Sequence, residues 1–282
     1  MESRRAVRKK TGSKPASRVA QTGYLLANAN AQAGARLAAI ASLFDPATFR
    51  RMAACGLSPG WRCWEVGAGG RTVIEWMARE VGPTGRVLAT DIDTRWMDAA
   101  PRAAIEVRRH DLIADKVPDE RFDMVHARLV LVHIPQRKEA LQKLVTALKP
   151  GGWLIVEDAD AALQPLACLD PRTAAERRAN RIRDGFRRLM AGRGVELAFG
   201  RTLPRLLREA GLRDVRAEGS FPIGGAAAGL LELATVRMLA PELIASGAAS
   251  ETDLAAHEDA VATGSIDLTI APMIAAMGRA PA

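Results

Sequence analysis

The stretch Trp61-Arg62-Cys63-Trp64-Glu65-Val66-Gly67-Ala68-Gly69-Gly70-Arg71 decides the fold. Trp61–Val66 reads as a buried strand, it ends in glycines, and Thr72–Glu80 continues with helical composition. Strand, glycine turn and helix in succession form the opening unit of a doubly wound α/β sheet. The glycines let the backbone turn sharply and let a ligand approach the main chain. A dinucleotide site wants glycine or alanine where Thr72 stands, and its pyrophosphate would be repelled by Glu65. A carboxylate ahead of the turn instead suits a ligand that carries an ammonium group.

The same alternation continues downstream. Gly85–Thr90 reads as a second strand closing on Asp91, Ile105–Arg108 as a third, Phe122–Ala127 as a fourth and Trp153–Glu157 as a fifth. Between the last two, Gln136–Leu148 reads as a helix stopped by Lys149-Pro150-Gly151-Gly152. Strands spaced by helices predict a parallel sheet with right-handed crossovers. Asp91 falls 26 residues after Glu65, where a doubly wound sheet puts the carboxylate that takes ribose hydroxyls. Asp111 follows the third strand, in place to accept an exocyclic adenine amine. Anchors for an amine, a ribose and an adenine, without a phosphate cradle, describe S-adenosylmethionine better than NAD or ATP.

On the N-terminal side, Ala31–Phe44 has helix composition, with Leu37, Ile40, Leu43 and Phe44 on one face. Asp45-Pro46 is read as the N-cap and first position of a second helix. On the C-terminal side come an arginine-rich helix over 172–191 and a helix over Arg201–Ala210. A sixth strand over Val215–Ile223, helices near 227–246 and 251–262, and a last strand over Leu268–Gly278 follow. The expected organisation is a basic, disordered tail at 1–20, a helical lid at 21–60, a ligand-binding core at 61–160, a helical cap at 161–213, and completion of the sheet at 214–282.

The 282 residues carry a net charge of +8 and a pI near 10, which invites a nucleic-acid reading. Residues 1–18 hold seven basic groups and one acid, so the remainder has a net charge of only +2. Aromatic residues make up 4% of the chain, too few for a base-stacking platform. The three cysteines form no C-x-x-C pair, which argues against a disulfide framework or a zinc site and for small buried thiols in a reducing cytosol. No run of 18 apolar residues spans a membrane. The expectation is a cytoplasmic monomer or homodimer acting on a small molecule, without nucleic acid, membrane or metal.

Five segments occur in a familiar order. They are Glu65-Val-Gly67-Ala-Gly69, Val87-Leu-Ala-Thr-Asp91-Ile-Asp93, His110-Asp111-Leu112, Phe122-Asp123-Met-Val-His126-Ala-Arg128, and the run from Leu148 to Asp158. With them the chain resembles the class I S-adenosylmethionine-dependent methyltransferases, particularly the small-molecule, secondary-metabolite branch. The resemblance spans roughly residues 40–160. It implies a Rossmann-like, seven-stranded, mostly parallel sheet with an antiparallel last strand, helices on both faces and an N-terminal helical lid. It implies that Glu65, Gly67, Ala68 and Gly69 line the methionine part of the cofactor. Asp91 would hold the ribose, Ile92 pack on adenine, and Asp111 with the Leu112 backbone read the adenine edge. Ala127 and Arg128 would border the methyl-donor end, and S-adenosylhomocysteine would be the product. Tyr24 either closes over the cofactor or packs at a helix start. Arg71 stands where the family often has a further glycine, and either pairs with the cofactor carboxylate or points to solvent.

Methyl transfer from a sulfonium draws much of its rate from positioning and exclusion of water, and a base helps when the acceptor is a hydroxyl or ammonium. The base candidates are His126 at the end of strand four, His133 one turn further on, and Glu157 at the end of strand five. For His133 a packing role is the competing reading. Asp158 is the candidate substrate ligand. The cluster of Glu157, Asp158 and Asp160 could equally cap the next segment. His110 flanks the adenine pocket and His257 reads as a surface residue. The eight arginines between 172 and 193 form either a solvated face or a cap that grips an acidic or phosphorylated substrate. By family precedent oxygen is the first-ranked acceptor atom, ahead of nitrogen and carbon. A nucleic-acid methyltransferase would want an Asn/Asp-Pro-Pro motif where His126-Ala127-Arg128 stands. A nicotinamide oxidoreductase is disfavoured by Thr72 and Glu65, and a non-catalytic cofactor-binding protein on the same fold has only Arg71 in its support.

Overall fold

The computed structural model describes residues 25–97 and 104–282. The tail at 1–20 and Tyr24 lie outside the described residues. Strands β1 (Arg62–Val66), β2 (Arg86–Asp91), β3 (Ile105–Arg109), β4 (Phe122–Arg128) and β5 (Leu148–Ala159) run parallel. With β6 (Arg213–Ser220) and β7 (Met273–Arg279) they form one sheet of order β3-β2-β1-β4-β5-β7-β6, in which β7 is antiparallel to both neighbours. The order reverses direction at β1, the switch point where doubly wound sheets bind ligands. The helices among the described residues are α1 (Ala33–Ala54), α2 (Thr72–Val81), α3 (Arg137–Thr146), α4 (Ala174–Gly192), α5 (Leu203–Glu209), α6 (Ala226–Ala245) and α7 (Glu251–Ala262).

Strand side chains alternate between faces, so the sheet makes two cores. Trp64, Val66, Val125, Leu154 and Val156 pack with Leu141 and Leu144 of α3 and Leu203 and Leu207 of α5. Cys63, Val87, Met124 and Ile155 pack on the other face with Ile74 and Met77 of α2 and Met52 of α1. A third cluster joins Ile182 of α4, Leu239 and Leu243 of α6, and Leu254 of α7. The segment 214–282 therefore contributes two strands to the sheet and two helices to the cap.

The sequence reading places a helix break at Asp45-Pro46, but α1 runs through Pro46 without interruption. A proline inside a helix costs about 3 kcal/mol. Tertiary packing offsets it, because Ile40, Phe44, Thr48, Arg51 and Met52 are all buried along one helix. Asp45 does not cap a helix; its carboxylate accepts from Arg128 Nη2 at 2.8 Å. The Lys149-Pro150-Gly151-Gly152 stretch belongs to β5, beside a register shift between Phe122 and Met124 of β4. Such bulges tolerate proline, whose missing N–H has no ladder partner to satisfy. The last strand begins at Met273; upstream of it only an isolated bridge pairs Thr269 with Ile223.

Gly67 and Gly69 in the β1–α2 turn have φ of +62° and +60°. A Cβ on Gly67 would lie 2.3 Å from Val130 Cγ2, and one on Gly69 2.9 Å from Leu37 Cδ2. These two positions need glycine for conformation and for space. Gly70 has nothing within 4 Å of such a Cβ.

Between α1 and the sheet lies a buried polar layer. Glu157 of β5 accepts from Thr48 Oγ1 at 2.7 Å and from Arg51 Nη1 at 2.9 Å. Arg51 reaches on to Ser220 Oγ at 2.9 Å and to Glu218 of β6. Arg128 Nη1 donates to Thr48 Oγ1 at 3.0 Å. Removing one partner of a fully buried ion pair leaves an uncompensated charge. Arg51→Ala is therefore expected to destabilise the fold by about 3–5 kcal/mol, read as a lower urea midpoint. A second expectation concerns the turn: Gly67→Ala should cost at least about 1–2 kcal/mol and lower the melting temperature, whereas Gly70→Ala should leave it nearly unchanged.

Candidate active site

A cavity of about 300 Å³ opens at the carboxyl ends of β1, β2 and β4, within the size range of small-molecule sites. Its floor is the turn Gly67-Ala68-Gly69-Gly70, and α1 covers it with Arg36, Leu37 and Ile40. Asp91, Ile92, Asp111, Leu112 and Arg128, all expected from sequence, line it. Asp91 Oδ2 accepts from Gly69 N at 3.0 Å and Oδ1 from Asp93 N at 2.9 Å, so this acid also holds the glycine turn. Burial raises the Asp91 carboxyl, with the N–H groups of Asp93, Gly69 and Ile92 opposing the rise. Asp111 Oδ1 accepts from Ile113 N and Ala114 N at 2.9 and 3.1 Å, which shapes the loop after β3. His110 is buried edge-on against Trp64, with Nε2 3.0 Å from Lys116 O. Its Nδ1 is buried without a hydrogen-bond partner on a residue that lines the cavity.

Several expected site residues do not reach this cavity. Glu65 shares its strand face with Cys63, and its Oε2 lies 2.6 Å from His126 Nδ1, a distance at which the ring N–H donates to the carboxylate. β1 and β4 put Glu65 and His126 in register, so both turn toward the polar layer under α1. His126 and Glu157 are 0% exposed and line neither this cavity nor its smaller neighbour, which corrects the reading of either as a base in contact with substrate. Ala127 is likewise sealed in the opposite core. Asp158, the expected substrate ligand, is 0% exposed. Burial pushes its carboxyl well above the usual range against the opposing N–H groups of Val132, Leu131 and Val130 and the cation of Arg137. Asp160 accepts from Arg201 Nη2 and Nε at 2.6 and 2.7 Å and from Leu163 N at 2.8 Å. Of the three acids, Glu157 and Asp160 are thus held by arginines, while Asp158 is buried beside the turn after β4. Arg71 bonds Glu75 on its own helix and is not part of the cavity wall.

His133 is where sequence and structure meet. It closes a short 3₁₀ turn, Leu131–His133, and lines both the first cavity and a second of about 130 Å³. Burial, with the cation of Arg36, holds His133 down to about 3, so the ring is neutral at neutral pH. Arg36, Ile40, Leu129 and His133 are common to both cavities. Leu129 has φ of +57°, an unusual conformation for a branched residue, and its N–H donates to Glu157 O at 2.8 Å. The second cavity is walled by Phe44 of α1, Ile182, Phe186 and Met190 of α4, and Leu239 of α6. His110, read from sequence as flanking the adenine pocket, does line the cavity, whereas Arg36 and the 27–29 segment were not legible as site residues, because they lie outside the recognised motifs and only the packing of α1 turns its face inward.

His257 is fully buried, not at the surface as its polar helix suggests. Its Nε2 lies 3.1 Å from Glu232 Oε1, and Glu232 Oε2 accepts from Arg183 Nη2 at 2.8 Å. Burial alone would raise the Glu232 carboxyl, but Arg183 and His257 outweigh it and hold it down to about 2. The three cysteines are free and buried. Among the described residues no group of three His, Cys, Asp or Glu is arranged to hold a metal ion, and no helix is long and apolar enough to cross a membrane.

Residues 26–217 match the family model described as a methyltransferase domain. The chain is 30% identical over 198 residues to methyltransferase str3 of Strobilurus tenacellus, covering 68% of this chain and 66% of that protein. It is 29% identical over 119 residues to the ubiquinone/menaquinone biosynthesis C-methyltransferase UbiE of Ectopseudomonas mendocina, covering 39% of this chain and 46% of that one. The chain spans between about a third and two thirds of the length of these and a further curated relative, the methyltransferase str2 of Strobilurus tenacellus. In structure it is similar to Haemonchus contortus phosphoethanolamine N-methyltransferase 2, solved with phosphomonomethylethanolamine and S-adenosylhomocysteine. The TM-score is 0.55 at 14% identity, over 87% of this chain and 57% of that one, a likeness of fold. The chain belongs to the methyltransferase domain family, with the class I S-adenosylmethionine-dependent fold.

Proposed function

We propose that this protein transfers the methyl group of S-adenosylmethionine to a small acceptor, with the cofactor in the first cavity and the acceptor in the second. The observation that carries the reading is the wall common to the two cavities, Arg36, Ile40, Leu129 and His133, at the carboxyl ends of the strands. The residues of the first cavity fit the cofactor. Gly67 and Gly69 let Val130 and Leu37 close against a turn whose main chain lies open to the cavity, Asp91 is set for ribose hydroxyls, and Asp111 and the unpartnered Nδ1 of His110 are set for adenine donors. The size of the second cavity, about 130 Å³, supports a small molecule over a polymer as acceptor. Oxygen remains the first-ranked acceptor atom, and a cytoplasmic location suits three reduced thiols.

When bound, the cofactor supplies an activated methyl group on a sulfonium. The chain's own residues then bind, orient and exclude water. In this reading neutral His133 accepts a hydrogen bond from the acceptor's hydroxyl and aims its oxygen through the common wall. Its basicity is too low for it to hold a proton at neutral pH, so it orients more than it abstracts. Arg36 stabilises that oxygen in its ionised form, its proton passing to solvent before the oxygen takes up the methyl group. The apolar walls of the second cavity keep water from competing.

Calorimetric titration with S-adenosylmethionine, S-adenosylhomocysteine and NAD tests the reading. The first two are expected to bind and NAD is not; absence of binding by both sulfur ligands would overturn it. Asp91→Ala should weaken S-adenosylhomocysteine binding by about 1–3 kcal/mol, roughly 5- to 150-fold. His133→Ala should lower kcat about tenfold, as for a lost orienting hydrogen bond. Because His133 stays neutral, kcat/KM should show no His133-dependent step between pH 5.5 and 7.5, where an ordinary imidazole with a pKa of about 6.5 titrates. The unfolded chain binds that proton first, so His133 removes stability as pH falls from about 6.5 toward 3. That component should vanish in His133→Phe when urea midpoints are compared at pH 7.5 and 5.

A further inference from the structure

We propose that Trp96 is a positioning residue for the cofactor: it clamps residues 27–34 at the first cavity and thereby sets how long the cofactor stays bound. The cofactor's identity rests on the methyl-transfer reading above, whereas the clamp is carried by geometry alone. Two segments far apart in sequence meet at this ring. Ala27, Asn28 and Ala29 line the first cavity, and so do Asp91, Ile92 and Asp93. Trp96 is not part of the cavity wall, yet it joins the two. Its Nε1 donates to Asn28 O at 2.9 Å. Its ring lies against the first turn of α1, where a Cβ on Gly34 would come within 2.7 Å of Cζ3.

The two segments are held differently. The loop that carries Trp96 is seated on the sheet. Met97 is fully buried in the core with Ile74 and Met77 of α2, and its N–H donates to Thr94 O at 2.9 Å. Arg109 Nε donates to Ile92 O at 3.1 Å. In the other segment, Asn30 N donates to Ala27 O and Ala33 N to Asn30 O, both at 3.0 Å, and Gln32 N to Asn30 Oδ1 at 2.9 Å. Those bonds stay inside the segment, and the bond from Trp96 ties it to the seated loop. An indole makes both contacts with one side chain, because it offers an apolar face and an N–H donor. The same contact accounts for Gly34. Glycine is a poor helix former, yet it stands in α1 between Ala33 and Ala35, and it leaves room for the ring. Arg51 and Glu157 anchor the far end of α1, and Trp96 anchors the near end, beside the turn that brings Arg36 and Leu37 to the cavity. A ligand under such a cover leaves as often as the cover releases, so the clamp acts on the dissociation rate.

The test uses the full chain and S-adenosylhomocysteine. Calorimetric titration should show binding weakened about tenfold in Trp96→Ala, with stopped-flow kinetics placing the loss in faster dissociation. Trp96→Phe keeps a ring against Gly34 and loses the bond to Asn28 O, so its affinity should fall between those of the unaltered chain and Trp96→Ala. It carries the test if Trp96→Ala does not fold. Gly34→Ala should favour the helix and still weaken binding, because the added methyl group displaces the indole. Amide exchange in the ligand-free chain should quicken over residues 25–37 in Trp96→Ala and stay unchanged over β4 and β5. Unchanged affinity in Trp96→Ala or in Gly34→Ala would overturn the inference. So would exchange that quickens over the strands as well, since Trp96 would then support the whole fold and not the clamp. Failure of S-adenosylhomocysteine to bind the unaltered chain would instead strike the methyl-transfer reading, while exchange over 25–37 still reads the clamp.

Discussion

Glu157 sits on β5 with no access to solvent and is held by Arg51 and Thr48 of α1. A charge so placed is stable only beside its partners, and the penalty for losing them is steep. This fixes the seat of α1 on the sheet more narrowly than hydrophobic packing could, since apolar surfaces tolerate sliding and ion pairs do not. The consequence reaches the site through the other half of the same helix. Arg36, Leu37 and Ile40 cover the first cavity, and Arg36, Ile40 and Phe44 wall the second. The uninterrupted passage of α1 through Pro46 makes the anchored and covering halves one rigid element.

The second constraint is the glycine turn. Gly67 gives its missing side-chain space to Val130, and Asp91 takes the N–H of Gly69. The segment after β4 is thereby brought against the floor of the first cavity, and the short turn that follows delivers His133 to the common wall. Leu129, one of two non-glycine residues with positive φ among the described residues, sits where the cavities meet, consistent with the rule that outliers persist where the surroundings over-determine them.

Much of this was legible in the sequence for local reasons. The strand and helix alternation, the need for glycine at 67 and 69, and the acids closing β2 and following β3 are features of one or two adjacent elements, and residue type carries them. The arginine-rich helix was legible only as either a solvated face or a grip on substrate; the structure divides it, turning Arg183 and Arg187 inward and leaving Arg172 and Arg188 exposed. The buried Glu232–Arg183–His257 cluster was not legible, because its members come from three helices whose meeting depends on tertiary packing.

What the sequence by itself determined is the order of elements, the place of the ligand turn and the acids around it. What only the tertiary structure decided is which charged side chains face the first cavity and which face α1. A strand's alternation sets relative parity, so Glu65 must share a face with Cys63, but the parity alone does not say which face is roofed by a helix. The registration of β1 with β4 then draws Glu65 to His126 and removes both from the first cavity wall, while β5 hands Glu157 to Arg51. His133, one turn beyond the sheet, is released from that parity, and this is why it, of the candidates for the chemistry, reaches the wall between the cavities.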